Sequence, residues 1–478
     1  MGVGPNNSRG VGEVTFAENT RFTRSVWRFN AKGYKDYAMH GNRNTWVKLS
    51  FIAERARKEP ELQFTSLAHL LNEEFLRDCY YSLDRNKAVG IDGQTWEEYG
   101  VALDANVKDL VDRMKRKSYK PLPAKRVYIP KDKNTKRPLG ISAIENKVVE
   151  EGIKRILECI YEADFLRFSY GFRPNCNCHQ ALLKLNKLIM TNPVHHIVEA
   201  DIKGFFDNVD HELLLEALKV RIKDNSLLFL IERFLKAGYV EDKKLIRTKE
   251  GTPQGSILSP LLANIFLHYV LDVWFEKTVK THVNGFCAIV RYADDFVIVV
   301  QYKREAERIE KALENRFSKF KLELHPTKSG RKSFGRFERE NAKRQNRRPY
   351  TFDFLGFTHY CDKNRRGFFK VGRKTKAKKL RGAIKDLKEW LKKIRNAVII
   401  KEWWKILASK IRGHFQYYGV SGNMPALKVY QCWAIRLTYK WLNRRSQKQS
   451  MNWDDFYKYL EKYPLPKPRI KHNMYAYS

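Results

Sequence analysis

Apolar side chains recur three and four residues apart through residues 45–83, in WVKLSFIAERA and again in SLAHLLNEEFLRDCYYSL, which predicts helix. A turn-rich break follows at Lys87-Ala88-Val89-Gly90-Ile91-Asp92-Gly93, then a further helix over 97–117. The rhythm changes at 125–131, which reads as a strand with a proline near its end. Residues 132–137 form a polar turn, and 138–141 resume an extended run. Helical spacing returns over 143–162. In the middle of the chain, 196–202 is a short strand carrying an aspartate near its end. Helices are expected over 211–220 and 227–237. Residues 256–276 read as a long apolar helix opened by Gly251-Thr252-Pro253-Gln254-Gly255. Residues 286–300 read as a hairpin with β-rich arms around an acidic tip, and 303–320 as an amphipathic helix.

The character shifts near residue 365. Between 363 and 395 there are 15 basic residues and two acidic ones, Asp386 and Glu389. Within that stretch Leu380, Ile384, Leu387, Leu391, Ile394 and Val398 are spaced by four and three. That spacing is one buried face of a helix whose other faces are basic. A second helix follows with Trp404, Leu407, Ile411 and Phe415. The stripes are core; the charged faces are left for a partner. The tail Pro464-Leu465-Pro466-Lys467-Pro468 is expected to be extended and to end the fold.

Composition narrows the class. The 478 residues carry a net charge of +39, with 43% hydrophobic and 13% aromatic residues. That is too apolar for a disordered chain, and no run of 18 or more apolar residues suggests a membrane span. The charge makes a polyanion the default partner, because Lys and Arg release condensed counterions when they meet phosphates. Seven scattered cysteines argue against a disulfide framework and suit a reducing compartment. Cys176 and Cys178 lie beside His179, but no second pair stands at zinc-ligand spacing. The N-terminus lacks the apolar core of a secretory signal, and residues 1–44 read as a loosely attached leader.

The chemistry gathers in two acidic segments. Tyr292-Ala293-Asp294-Asp295 lies between the apolar arms 288–290 and 296–300. Adjacent carboxylates repel unless a cation offsets them; a solvated turn is the plain alternative. Val198-Glu199-Ala200-Asp201-Ile202-Lys203-Gly204-Phe205-Phe206-Asp207 supplies another aspartate at a strand end. Aspartates from two strand ends can hold two Mg2+ ions, one activating an attacking hydroxyl and one stabilising a leaving oxygen. Oxygen donors without a His–Cys cluster favour Mg2+ over zinc, with Mn2+ as a substitute. In a chain of this charge, two such strands point to nucleotidyl transfer on nucleic acid.

Further blocks appear in order around these segments. They are Ile129 to Ile141, Ser169-Tyr170-Gly171-Phe172-Arg173-Pro174, Gly251-Thr252-Pro253-Gln254-Gly255-Ser256, His325-Pro326-Thr327-Lys328 and Phe354-Leu355-Gly356. With Asp201 to Asp207 and Tyr292 to Asp295 they resemble the polymerase motifs of group II intron-encoded reverse transcriptases, which double as maturases. The resemblance runs from about residue 45 to about residue 470.

It implies an α+β right-hand polymerase fold. Fingers and palm would occupy 45–365, with an N-terminal extension over 45–120 and a palm core over 190–365. An all-helical basic thumb, or maturase domain, would occupy 366–462, and a tail 463–478. Asp201 and Asp294 would bind both metals with Asp295 nearby, and the carbonyl of Ile202 would complete a metal shell. Phe206 would be the steric gate against a ribose 2′-OH. Arg137 and Lys131 would hold the incoming triphosphate, Gln254 would touch the nucleotide, and Lys328 would be a general acid for pyrophosphate. Phe354, Leu355 and Gly356 would form the primer grip. Arg173, Arg412, His414, Arg444 and Arg445 would contact nucleic acid. The implied partners are group II intron RNA, an RNA template with a DNA primer, dNTPs and target DNA, with no membrane. The implied setting is the bacterial cytoplasm, at the nucleoid when bound to DNA. Many family members add an HNH endonuclease with His and paired Cys ligands. No such cluster follows Leu460, so a compact type that does not cut the second strand is expected. Two other roles fit the same motifs: a splicing maturase that only binds RNA, and a domesticated reverse transcriptase in DNA repair or phage defence.

Overall fold

The computed structural model describes residues 43–130, 136–445 and 451–476. The leader therefore falls almost wholly outside the described residues. Four helices open the described chain: α1 (Arg43–Lys58), α2 (Glu73–Ser82), α3 (Trp96–Val101) and α4 (Leu103–Lys115). Each long helix expected here is divided. Pro60 follows the end of α1, and a break at Ala102 separates α3 from α4. The strands β1 (Ala124–Pro130) and β2 (Lys136–Ile141) pair antiparallel, and α5 (Ile144–Asp164) runs on from β2 through the core.

The segment from α6 (Cys178–Thr191) to β8 builds the central sheet. It contains β3 (His196–Asp201), α7 (His211–Lys219), α8 (Asn225–Lys236), β4 (Tyr239–Glu241), β5 (Lys244–Ile246), α9 (Ser259–Leu267), β6 (Cys287–Tyr292), β7 (Asp295–Val300), α10 (Lys303–Lys319) and β8 (Gly330–Ser333). The expected 256–276 helix begins at Ser259 and continues beyond α9 in π-helical turns at His268–Asp272 and Phe275–Val279. The β4–β5 hairpin was not foreseen; it joins β1 and β2 in a sheet ordered β2-β1-β4-β5.

The central sheet has the order β6-β7-β3-β8, all neighbours antiparallel. Residues on a strand alternate faces, and the two faces meet different cores. Val198, Ala200, Phe296 and Ile298 pack with the N-terminal helices, α5 and α9. Ile197, Val297 and Val299 pack with α6 and a third sheet. Strand β7 lies inside the sheet with apolar layers on both sides. That explains why 296–300 is continuously apolar rather than alternating.

The third sheet, order β11-β10-β9, comprises β9 (Thr351–Phe354), β10 (Phe357–Lys363) and β11 (Phe369–Thr375), reached through α11 (Glu338–Arg344). Strand β11 corrects the expectation of an all-helical segment from residue 366. Its seven register pairs with β10 carry the sheet on to Thr375, and helix begins only at Ala377. From there α12 (Ala377–Ile394), α13 (Ile400–Tyr418), α14 (Met424–Asn443) and α15 (Trp453–Lys462) share one core, centred on Leu391, Trp403, Leu407, Ile411, Leu427 and Phe456. Leu387 and Leu391 of the predicted stripe are buried. Val398 lies past the end of α12. Lys378, Lys379, Arg381, Lys385 and Lys388 stay exposed.

The tail does more than end the chain. Leu465 is buried in the helical core and Met474 in the core under the third sheet. Between them His472 stacks on His179 of α6 with ring centroids 3.6 Å apart. The Asn186 side chain donates to the Met474 carbonyl at 2.6 Å. The tail thus straps the helical segment to the central sheet. Among the described residues no helix is long and apolar enough to cross a membrane.

Candidate active site

Asp201 is the last residue of β3 and Asp295 the first of β7, and the two are register partners. Asp294 precedes Asp295 in the two-residue turn between β6 and β7. Ala293, the other turn residue, has φ +56, in the left-handed region that a non-glycine residue enters only when its surroundings impose it.

Those surroundings are visible. Arg291 is fully buried and forms a bidentate ion pair with Asp272, which is also fully buried. The third guanidinium nitrogen of Arg291, Nη1, donates to the Ala293 carbonyl and to Asn264 Oδ1, both at 3.0 Å. Asn264 in turn donates to the Gly171 carbonyl at 2.7 Å. Gly171 lies against the turn so closely that a Cβ there would sit 2.3 Å from the Ala293 nitrogen. The block containing Gly171 and the carboxylate hairpin are therefore one packed unit. Sequence reasoning missed Arg291, Asp272 and Asn264. The signal was a lone arginine in an apolar strand and a lone aspartate in an apolar helix.

The carboxylates crowd one another. Burial raises the Asp294 pKa, and the charge of Asp201 adds to it; Arg137 and Arg291 oppose. Burial, then Asp294 and Asp201, push Asp295 up to about 7, against a hydrogen bond from the Leu355 backbone. Lys328 meets this charge directly, its ammonium 2.5 Å from Asp201 Oδ2. Its turn is docked on the end of β3, where the His325 N–H donates to the Asp201 carbonyl at 2.7 Å. Ile202 is buried and bridges Leu324 on the same turn. Among the described residues no three His, Cys, Asp or Glu side chains form a ready-made metal cage. The donor set nonetheless fits Mg2+ in kind. Three carboxylates meet at adjoining strand ends, two with raised pKa values, and a divalent cation would relieve that repulsion.

Beside the carboxylates, three segments meet. The Thr252 N–H donates to the Phe206 carbonyl at 2.7 Å, and the Gln254 side chain donates to Asp207 Oδ2 at 3.2 Å. The Gly140 N–H of β2 donates to the Gln254 carbonyl at 2.6 Å. Gly255, at φ +113, lies where a Cβ would be 2.6 Å from the Gly140 oxygen, so no other residue fits. Phe206 is half-buried, edge-on to Phe172 at 6.5 Å. Arg137 is exposed on β2, and its charge reaches Asp294. Lys131 lies outside the described residues.

Leu355 and Gly356 form the turn between β9 and β10, both at positive φ, with Phe354 buried behind them. The Tyr417 hydroxyl of α13 donates to the Leu355 carbonyl at 3.0 Å, which ties this turn to the helical segment.

Two expected nucleic-acid contacts are committed elsewhere. The Arg173 guanidinium pairs with Glu162 at 2.9 Å and donates to the carbonyls of Leu166 and Ser169. It braces its own loop. His414 stacks on Tyr430 with centroids 3.6 Å apart, and burial pulls its pKa down to about 4. It is a neutral packing ring between helices. Arg412 and Arg444 are exposed, and the Arg444 guanidinium lies 5.7 Å from the Trp441 ring. Arg445 is partly buried.

The family model for reverse transcriptase (RNA-dependent DNA polymerase) matches residues 129–359. Protein YkfC of Escherichia coli K12 is 32% identical over 283 residues, covering 52% of this chain and 74% of YkfC. The chain belongs to the reverse transcriptase family. Its relatives there include the group II intron-encoded protein LtrA of Lactococcus lactis subsp. cremoris, 38% identical over 226 residues. That match covers 47% of this chain and 37% of LtrA, so the chain spans little more than a third of that relative. Nuclear intron maturase 1 of Arabidopsis thaliana mitochondria is 31% identical over 113 residues, 23% of this chain and 15% of the maturase. The matched segment of the family contains β2, the three aspartates, Gln254, Lys328 and the Leu355–Gly356 turn. The resemblance to group II intron-encoded reverse transcriptases read from the sequence is met.

Proposed function

We propose that this protein is an RNA-dependent DNA polymerase that works with a group II intron RNA, in splicing as a maturase and in retrohoming by target-primed cDNA synthesis. The observation that carries the polymerase reading is the meeting of Asp201, Asp294 and Asp295 at adjoining strand ends. The tie to intron RNA rests on the intron-encoded and maturase relatives.

Asp201 and Asp294, with the Ile202 carbonyl and Asp295, are the residues that would hold two Mg2+ ions. When bound, the ions supply a nucleophilic primer 3′-oxygen and a stabilised leaving pyrophosphate. Arg137 and Lys131 bind the triphosphate, Arg137 through the fork that its guanidinium offers to phosphate oxygens. Gln254, held at Asp207, orients the nucleotide against the template. Phe206 fills the space beside the sugar and excludes a 2′-OH. Lys328 donates the proton that the departing pyrophosphate takes up. The Leu355–Gly356 turn supports the primer end next to Asp295. The exposed basic face of α12 with Arg412 and Arg444 grips the duplex and the intron through phosphate and 2′-OH, which suits A-form RNA.

Extension of a DNA primer annealed to an RNA template, in Mg2+ and dNTPs, tests the polymerase reading; no extension above background overturns it. Splicing of the cognate intron at low Mg2+, with and without protein, tests the maturase reading; no stimulation overturns that part.

A further inference from the structure

A buried carboxylate bonded to the segments that carry Arg137 and Gln254 is unused by the roles assigned so far. Glu150 projects from α5 and is 3% exposed. Its Oε1 accepts the Ser142 hydroxyl at 2.8 Å. Its Oε2 accepts the Ser256 hydroxyl at 2.9 Å and the Ile257 N–H at 2.8 Å. Burial pushes the Glu150 pKa up, and these three donors pull it back. A carboxylate with three short donors makes strong, directional bonds, and removing it would leave buried donors unsatisfied.

The three donors come from two segments. Ser142 follows β2, the strand that carries Arg137. Ser256 and Ile257 continue the turn that carries Gln254. The same two segments touch again through the Gly140 N–H and the Gln254 carbonyl, and through Gly255 against the Gly140 oxygen. A third segment joins them. Lys147, three residues before Glu150 on α5, donates to the Ala88 carbonyl at 2.7 Å. Gly90 packs against Ala143 so tightly that a Cβ would lie 2.5 Å from the Ala143 Cα.

We propose that Glu150 is a positioning residue for the nucleotide pocket: its carboxylate locks the Gln254 turn to the end of β2 and so sets Gln254 relative to Arg137. Glu150 touches no substrate; it acts through the two segments it joins. This rests on the polymerase reading, because only that reading makes Arg137 and Gln254 nucleotide contacts.

The test uses the full chain and steady-state primer extension at varied dNTP, with wild type, Glu150→Ala, Glu150→Gln and Asp294→Ala. Glu150→Ala should raise the dNTP KM by about tenfold while kcat stays within about threefold, because the pocket is loosened rather than the chemistry removed. Glu150→Gln should recover most of the loss. Its amide oxygen can accept from Ser256 and Ile257, and its NH2 can donate to the Ser142 hydroxyl. Hydrogen exchange supplies a readout independent of activity. In Glu150→Ala the Gly140 and Ile257 amides should lose protection together, while those of β3 and β7 keep theirs. An unchanged dNTP KM with a loss confined to kcat overturns the proposal, as does unchanged exchange at Gly140. If wild type matches Asp294→Ala, the polymerase reading fails instead, and the exchange result still decides whether Glu150 joins the two segments.

Discussion

Asp201 and Asp295 stand directly opposite each other in the β3–β7 ladder. Like charges in that relation destabilise a sheet, and Asp294 adds a third carboxylate one residue away. The rest of the central sheet and its neighbours is arranged to tolerate this. Lys328 reaches Asp201, Arg291 holds the turn from beneath, and apolar layers cover both faces of β7. A fold that keeps such repulsion at one point and satisfies its neighbours marks that point as functional.

The packing of Gly171 on the turn gives the sharpest steric prediction. Gly171→Ala would put a methyl 2.3 Å from the Ala293 nitrogen, so backbone must move. A shift of the carboxylates by about 1 Å costs on the order of a hundredfold in rate. Primer extension should fall by that factor while far-UV circular dichroism stays that of wild type.

The Arg291–Asp272 pair carries a stability prediction. Asp272→Ala leaves the guanidinium buried without its counter-charge, which costs about 3–5 kcal/mol. Urea denaturation of wild type and variant measures it. A loss below about 1 kcal/mol would mean that water or another group takes the place of Asp272.

Phe206 carries a selectivity prediction. Phe206→Ala opens the space beside the sugar, and ribonucleotide incorporation should rise relative to deoxynucleotide by about 10–200-fold in kcat/KM, the scale of a pocket-shape change. Single-nucleotide kinetics with matched dNTP and rNTP measure the ratio.

Glu158 on α5 gives a pH dependence outside the site. Burial, opposed by Lys154, pushes its pKa from the ordinary 4.5 up to about 7. A carboxyl raised on folding binds its proton more tightly in the folded state. Its contribution is fully present below about 4.5 and is lost as pH rises through about 7. Thermal melts of wild type and Glu158→Gln at successive pH values should therefore diverge across that window, with the variant gaining relative stability toward pH 8.

Much of the site was legible because its chemistry and its spacing coincide. The 286–300 hairpin announces itself by two β-rich arms around Asp294 and Asp295, and 196–202 by a short strand pattern carrying Asp201 near its end. The β4–β5 hairpin was not legible, since its strands are three residues each and too short for a periodic signal. Strand β11 was hidden by its charge. Phe369, Val371, Arg373 and Thr375 alternate inward, but Arg373 is fully buried against Asn186, so the inward face does not look apolar. The tail reads as polar and extended, yet Leu465 and Met474 each fill a core separated in sequence from the other. The resemblance implies nucleic-acid contacts at Arg173 and His414, but a matching motif does not show that their donors or ring faces are already taken inside the fold. The basic face of α12 was read correctly as exposed because helical periodicity separates it from the Leu387–Leu391 stripe.

The most direct test of the polymerase assignment compares wild type with Asp294→Ala, side by side, on one RNA template carrying an annealed DNA primer. Wild type should extend the primer with dNTPs in Mg2+ and stop extending when EDTA is added. Asp294→Ala should fall by at least about a thousandfold, because it removes a carboxylate that would hold the metal. Equal extension by the two proteins, or extension that survives EDTA, would contradict the account.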